Sequence, residues 1–201
     1  MATVRKQIDS VSLVEFSPLR TLEADLKNPH EPLVIDTCTH ILPESFNVNR
    51  EFVSRSDSTF RSLFVDPKSK FAQVDDLITS MDEAGVDVSV CAGFGWTSPE
   101  VAREANNYNI AAAKAHPDRL VPFCSVNPLW GEDAVAEVKR CHAEGAKGIG
   151  ELHPDTQGFL DADLAALAPV FDTAKELDMP ILMHASEPVG HGYPGKGTVT
   201  P

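Results

Sequence analysis

From residue 33 onward, short runs rich in apolar and β-branched residues alternate with longer stretches in which apolar positions recur every three or four residues. The first run covers 33–38. Helical spacing then appears over 71–84, with Val74, Leu77, Ile78 and Met81 on one face and Gly85 placed to stop the helix. A strand is predicted over 86–92. Ser98 and Pro99 stand in the N-cap and first-turn positions of a helix that runs to about residue 115, before the break at His116-Pro117. Three more segments repeat the rhythm: strand 120–126 with helix 132–144, strand 146–152 with helix 161–177, and strand 179–184. Gly145 ends the first of these helices, and Gly148 and Gly150 loosen the strand that follows. Helices separate all strands after the first, so each connection is long enough for a right-handed parallel crossover. The pattern predicts an α/β fold of about five parallel strands and four crossover helices.

Three segments fall outside this rhythm. Residues 47–69 are rich in Ser, Arg and Asp and read as a long loop over the strand ends. Residues 186–201 are rich in Gly and Pro and carry no assignable element. Residues 1–32 show weak helical spacing around Leu19, Leu22 and Leu26, and read as an N-terminal extension packed outside the sheet.

Composition narrows the function classes. A chain of 201 residues with 42% hydrophobic residues supports one main globular unit, taken as 33–201. Seventeen Lys and Arg against thirty Asp and Glu give a net charge of −13, which argues against nucleic acid and anionic membrane as partners. A small-molecule substrate is the expected partner, and an anionic one stays possible because a local field beside a metal can outweigh the global charge. The four cysteines, Cys38, Cys91, Cys124 and Cys141, form no CxxC pair, and a reducing cytoplasm is the simplest home. Near the start, Asp9, Ser10 and Glu15 interrupt any apolar stretch that a signal peptide would need.

In parallel α/β folds the ligand site lies at the carboxyl ends of the strands. Three of the predicted ends carry chemistry. The first reads Asp36-Thr37-Cys38-Thr39-His40, and period-two alternation sends Asp36, Cys38 and His40 to one face. The fourth ends in Glu151 with His153 beyond it, and the fifth ends in His184. Thiol, imidazole and carboxylate converging from three strand ends form a donor set for zinc or a similar divalent ion. Each residue also has a plainer reading. His40 could be a hydrogen-bonded strand-end histidine, Cys38 a small buried hydrophobe, and Glu151 a partner of Lys147. His153 is either structural or substrate-facing.

These residues resemble a known family. The run Val34-Ile35-Asp36-Thr37-Cys38-Thr39-His40-Ile41-Leu42-Pro43 is similar to the first-strand motif of the amidohydrolase-related metal-dependent hydrolases, which usually read Asp-x-His-x-His there. Lys147-Gly148-Ile149-Gly150-Glu151-Leu152 resembles the family's fourth strand. Pro180-Ile181-Leu182-Met183-His184, with the loop through His191 and Gly197, resembles its fifth. The resemblance implies part of a (β/α)8 barrel holding one divalent metal ion, typically zinc. His40 and His184 carry over as ligands, Cys38 stands where the family has a histidine, and Glu151 would bind or orient the metal water. It implies hydrolysis of an amide, ester or lactone-like bond, or, in some members, decarboxylation without redox chemistry.

No residue matches the family's sixth-strand histidine or eighth-strand aspartate. A complete barrel typically takes about 250 residues, so an open sheet is expected here, its first and fifth strands covered by self-association or a complementary chain. A non-catalytic module, with the site decayed and the edges serving assembly, is the rival reading. The arginines of 47–69, notably Arg55 and Arg61, are the candidate substrate contacts.

Overall fold

A computed structural model of the chain describes residues 32–186, 190–193 and 195–200. The strands are β1 (Ile35–Thr39), β2 (Val88–Cys91), β3 (Leu120–Cys124), β4 (Gly148–Leu152) and β5 (Ile181–Met183). They form one sheet in the order 1-2-3-4-5, with every neighbouring pair parallel. The described helices are α1 (Glu44–Val48), α2 (Arg50–Ser56), α3 (Ser58–Phe64), α4 (Val74–Ala84), α5 (Pro99–Ala115), α6 (Glu132–Glu144), α7 (Pro154–Gln157) and α8 (Leu164–Glu176). Helices α4, α5, α6 and α8 are the four crossovers, and the sheet curls into half of a (β/α)8 barrel. The predicted extension and its leucines fall almost wholly outside the described residues.

The helix signals act as the sequence suggests. Gly85 closes α4 in the left-handed region at φ 69°, where a side chain is strained. Ser98 caps α5 by accepting from the Val101 N–H, with Pro99 in the first turn. Alternate residues of β3 are buried, and Cys124 joins Val126, Val138, Ile149, Leu152 and Val170 in a core between α6, α8 and the sheet. A second core packs Met81, Ala112, Ala113 and Leu120 where α4 and α5 cover β2 and β3. Between α5 and α6 the buried Glu137 carboxylate accepts from Asn106, Arg103 and Arg140; burial would raise its pKa, but Arg140, Asn106 and Cys141 hold it down to about 2.

The two glycines of β4 answer to close approach rather than to a loose strand. A Cβ on Gly148 would lie 2.3 Å from the Phe123 ring of β3, and one on Gly150 would meet the Leu182 carbonyl oxygen of β5 at 2.4 Å.

The stretch expected to be a loop is helical. Residues 44–64 form α1, α2 and α3 because Phe46, Val53 and Phe60 recur every seven residues and fall on one buried face. Phe46 and Phe60 pack on each other and on Trp96, which follows β2. The Ser, Arg and Asp residues that gave the segment its polar look take the outer face or the helix ends. Arg50 donates to the carbonyls of Phe64, Asp66 and Ser69, which closes the far end.

Asp57 fastens this helical excursion to the barrel. It is fully buried, caps α3 through the Phe60 N–H at 2.8 Å, and accepts from the N–H groups of Thr97 at 2.7 Å and Ser98 at 2.8 Å. Three strong donors thus compensate its desolvation. Among the described residues no helix is long and apolar enough to cross a membrane. Replacing Asp57 with Ala leaves those three N–H groups without their acceptor and is expected to cost about 2–4 kcal/mol of stability. Asp57→Asn, which keeps one acceptor oxygen, is expected to cost less, and urea unfolding of the two variants checks the order.

Candidate metal centre

The carboxyl ends of β1, β4 and β5 meet at one mouth of the half-barrel. At β1 the parallel register with β2 breaks between Asp36 and Thr39. Asp36 turns its carboxylate back to accept from the Cys38 N–H at 3.1 Å, and Thr39 donates to the Val90 carbonyl. This leaves Cys38 exposed and sets His40 half-buried beside it.

His40 is fixed on both sides. Its Nδ1 donates to the Ala92 carbonyl at 3.1 Å, leaving Nε2 to face the mouth, and its ring stacks on Phe94 with centroids 4.1 Å apart. Glu151 is held by backbone pairing: its N–H donates to the Gly93 carbonyl at 2.7 Å, while the Gly93 N–H donates to the Gly150 carbonyl at 3.0 Å. The Gly150–Glu151 peptide is cis. The His184 N–H, just past β5, donates to the Leu152 carbonyl at 2.7 Å.

These constraints bring four of the sequence candidates together. Cys38 Sγ lies 3.7 Å from His40 Nε2 and 3.9 Å from Glu151 Oε2, and His40 Nε2 lies 3.3 Å from that same oxygen. Tetrahedral ligands of one zinc ion sit roughly 3.3–3.8 Å apart, given bonds of about 2.0–2.3 Å. The donor set and its spacing therefore fit a divalent ion. His184 adjoins this triad through the other oxygen of Glu151, with Nδ1 donating to Oε1 at 2.6 Å, and its Nε2 lies 3.0 Å from Ser186 Oγ. Glu151 pairs with the two histidines rather than with Lys147.

The electrostatics follow from this crowding. Burial opposes charge on His40, but its hydrogen bonds to Cys38 and Glu151 outweigh that and push its pKa up to about 9. Burial would raise the Glu151 carboxyl, yet His40 and His184 hold it below the usual carboxylate range.

His153 is buried, caps α7 by accepting from the Thr156 N–H, and donates from Nε2 to the Gly195 carbonyl at 2.9 Å. Its ring stacks on His184 with centroids 4.3 Å apart. A cavity of about 240 Å³ opens over these groups, and its walls include His40, Glu151, His153, His184, Phe94 and Leu63. Arg55 and Arg61 are not among the lining residues. Both are exposed on the outer side of the helical excursion, Arg55 in an ion pair with Glu51. Sequence reasoning missed Phe94 and Ser186. Phe94 follows the end of β2, so its strand-end place was the available signal, whereas nothing local marks Ser186.

A family model described as amidohydrolase matches residues 35–199. Among solved structures, 77% of the chain superposes on 50% of a 5-carboxyvanillate decarboxylase from Novosphingobium aromaticivorans, complexed with manganese and 4-hydroxy-3-methoxy-5-nitrobenzoic acid, at 25% identity and a TM-score of 0.58. It likewise superposes on a 5-carboxyvanillate decarboxylase from Sphingomonas paucimobilis (77% of this chain, 52% of that one, 17% identity, TM-score 0.59). A 4-oxalomesaconate hydratase from Rhodopseudomonas palustris gives 76% and 52%, with 19% identity and a TM-score of 0.54. The last two likenesses show the fold alone. The chain spans about half the length of the solved proteins it matches. No curated protein matches the sequence.

In metal-free protein, His40 is expected to titrate near pH 9 rather than 6.5, and Glu151→Gln to bring it back down. A raised pKa means that the stability contributed by this pair is full below about pH 6.5 and is lost as pH climbs through about 9. Histidine ring NMR across that range checks both statements.

Proposed function

Because this chain belongs to the amidohydrolase family, we propose that it forms part of a metal-dependent hydrolase that cleaves an amide, ester or lactone-like bond in a small molecule. One observation carries the reading: Cys38, His40 and Glu151 converge at the strand ends with the separations of a single ion's ligands. These three would hold one divalent ion, zinc in our reading. When bound, the ion supplies Lewis-acid polarisation of an acyl group and acidifies a water toward neutrality.

The remaining work falls to the side chains. His184 Nδ1 holds the far oxygen of Glu151, so that the near oxygen stays turned toward Cys38 and His40. Glu151 would bind the ion or orient its water through that near oxygen, and His184 steadies the carboxylate charge across the 2.6 Å hydrogen bond. Phe94 and His153 keep the two catalytic imidazoles in plane by stacking. His40 would have to give up its proton to hold the ion, so metal affinity is expected to rise with pH.

We prefer hydrolysis to decarboxylation on the character of the described cavity walls. Among the described residues lining it there is no lysine or arginine to anchor a carboxylate, while Phe94, Leu63 and Tyr193 present apolar surface and Thr59, Ser62 and Thr156 present hydroxyls. A neutral acyl compound matches such walls. Among the described residues β1 pairs only with β2 and β5 only with β4, and Val34 and Ile35 are about half exposed. A second copy or a complementary chain covers these edges and completes the site. Four free cysteines suit a reducing cytoplasm.

The zinc-loaded protein, assembled with the copy or chain that completes its site and offered esters, lactones, amides and aromatic carboxylic acids, is expected to hydrolyse members of the first three groups. His40→Ala abolishes turnover, and Glu151→Gln lowers it by about 10²-fold or more. Release of carbon dioxide from the acids without any hydrolysis would replace the reading with decarboxylation, and a wild-type protein that binds no metal would end it.

A further inference from the structure

Resting on the metal reading above, we propose that Cys38 binds as a thiolate and makes this a sulfur-ligated centre that takes zinc, cobalt or cadmium in preference to manganese. The four cysteines divide sharply. Cys91, Cys124 and Cys141 are fully buried, Cys141 with its sulfur against Glu137 and Arg140 inside the helix layer, whereas Cys38 is exposed at the mouth with its sulfur facing an imidazole and a carboxylate. Packing does not explain its place. The Asp36 carboxylate, through the Cys38 N–H, fixes the backbone that aims the sulfur.

The other two donors are already set. His40 offers Nε2 because Nδ1 is committed to the Ala92 carbonyl, and Glu151 offers Oε2 because His184 holds Oε1. An ion entering this site meets one soft donor, one borderline and one hard. Manganese is best served by carboxylate, carbonyl and water oxygens, whereas thiolate favours zinc and its softer relatives. The manganese-bound decarboxylase from Novosphingobium aromaticivorans shares the fold, so the difference in metal would lie in the ligands and not in the barrel. On binding, the S–H bond of Cys38 breaks, a sulfur–metal bond forms and the proton leaves to solvent.

Cobalt reports this bond directly, because thiolate ligation gives a sulfur-to-cobalt charge-transfer absorption that nitrogen and oxygen donors do not. The buried positions of the other three cysteines assign the signal to Cys38. The wild-type protein, titrated with cobalt, is expected to show the band at one equivalent. Cys38→Ser and Cys38→His lose it, and the histidine variant still binds one metal ion. In chelator-buffered competition, the preference for zinc over manganese is expected to fall by at least about tenfold in Cys38→His. Circular dichroism establishes that each variant is folded, and if the serine variant is not, the wild-type band and the histidine variant decide. Cobalt bound without the band, or an unchanged preference in Cys38→His, overturns the role of Cys38 and leaves the metal reading standing. Wild-type protein that takes up neither zinc nor cobalt overturns both.

Discussion

A carboxylate lodged between two imidazoles is the interaction on which this molecule's chemistry depends. Glu151 is largely withdrawn from water, and burial by itself would push it toward the neutral form. His40 on one oxygen and His184 on the other reverse that, and each ring is in turn pinned by an acceptor or an aromatic plate. The result is a charged group whose two oxygens have distinct surroundings. One faces a thiol and an imidazole nitrogen, and the other is closed off by a hydrogen bond. Such asymmetry turns a generic acidic residue into a directed donor.

That carboxylate stays in place because three strand ends deliver its neighbours. Parallel strands bring their carboxyl ends to one mouth, and the curl of the sheet brings the ends of β1 and β5 toward that of β4. The narrow spacing between β3, β4 and β5 requires side chains to be absent at Gly148 and Gly150, where the Phe123 ring and the Leu182 carbonyl occupy the space. Over the mouth, the helices between β1 and α4 form a wall rather than a mobile flap, since Asp57 bonds them to the segment that follows β2 and the Phe46, Phe60 and Trp96 cluster removes their apolar face from water. The barrel portion thus presents a walled, half-buried site even though, among the described residues, β1 and β5 each pair on one side alone.

One misreading of the sequence has a plain physical origin. The segment 47–69 looked like a loop because its Ser, Arg and Asp residues outnumber its apolar ones, and a count of polarity does not register that Phe46, Val53 and Phe60 keep one face through three short helices. Arg55 and Arg61, the candidate substrate contacts of that segment, are exposed and do not line the cavity, and Arg55 pairs with Glu51. Burial of three apolar residues decided the conformation of the segment.

The sequence by itself determined the alternation of strands and helices, the caps at Ser98, Gly85 and Gly145, and the strand-end positions of Cys38, His40, Glu151 and His184, because these follow from periodicity and local backbone preference. Only the tertiary structure decided which of those four face one another. The pairing of Glu151 with His40 and His184 rather than with Lys147, the exposure of Cys38 and the commitment of both His153 nitrogens depend on the curl of the sheet and on groups tens of residues apart. Local preference acts over a few residues, whereas the direction of a side chain at a strand end is settled by whatever the fold packs against it.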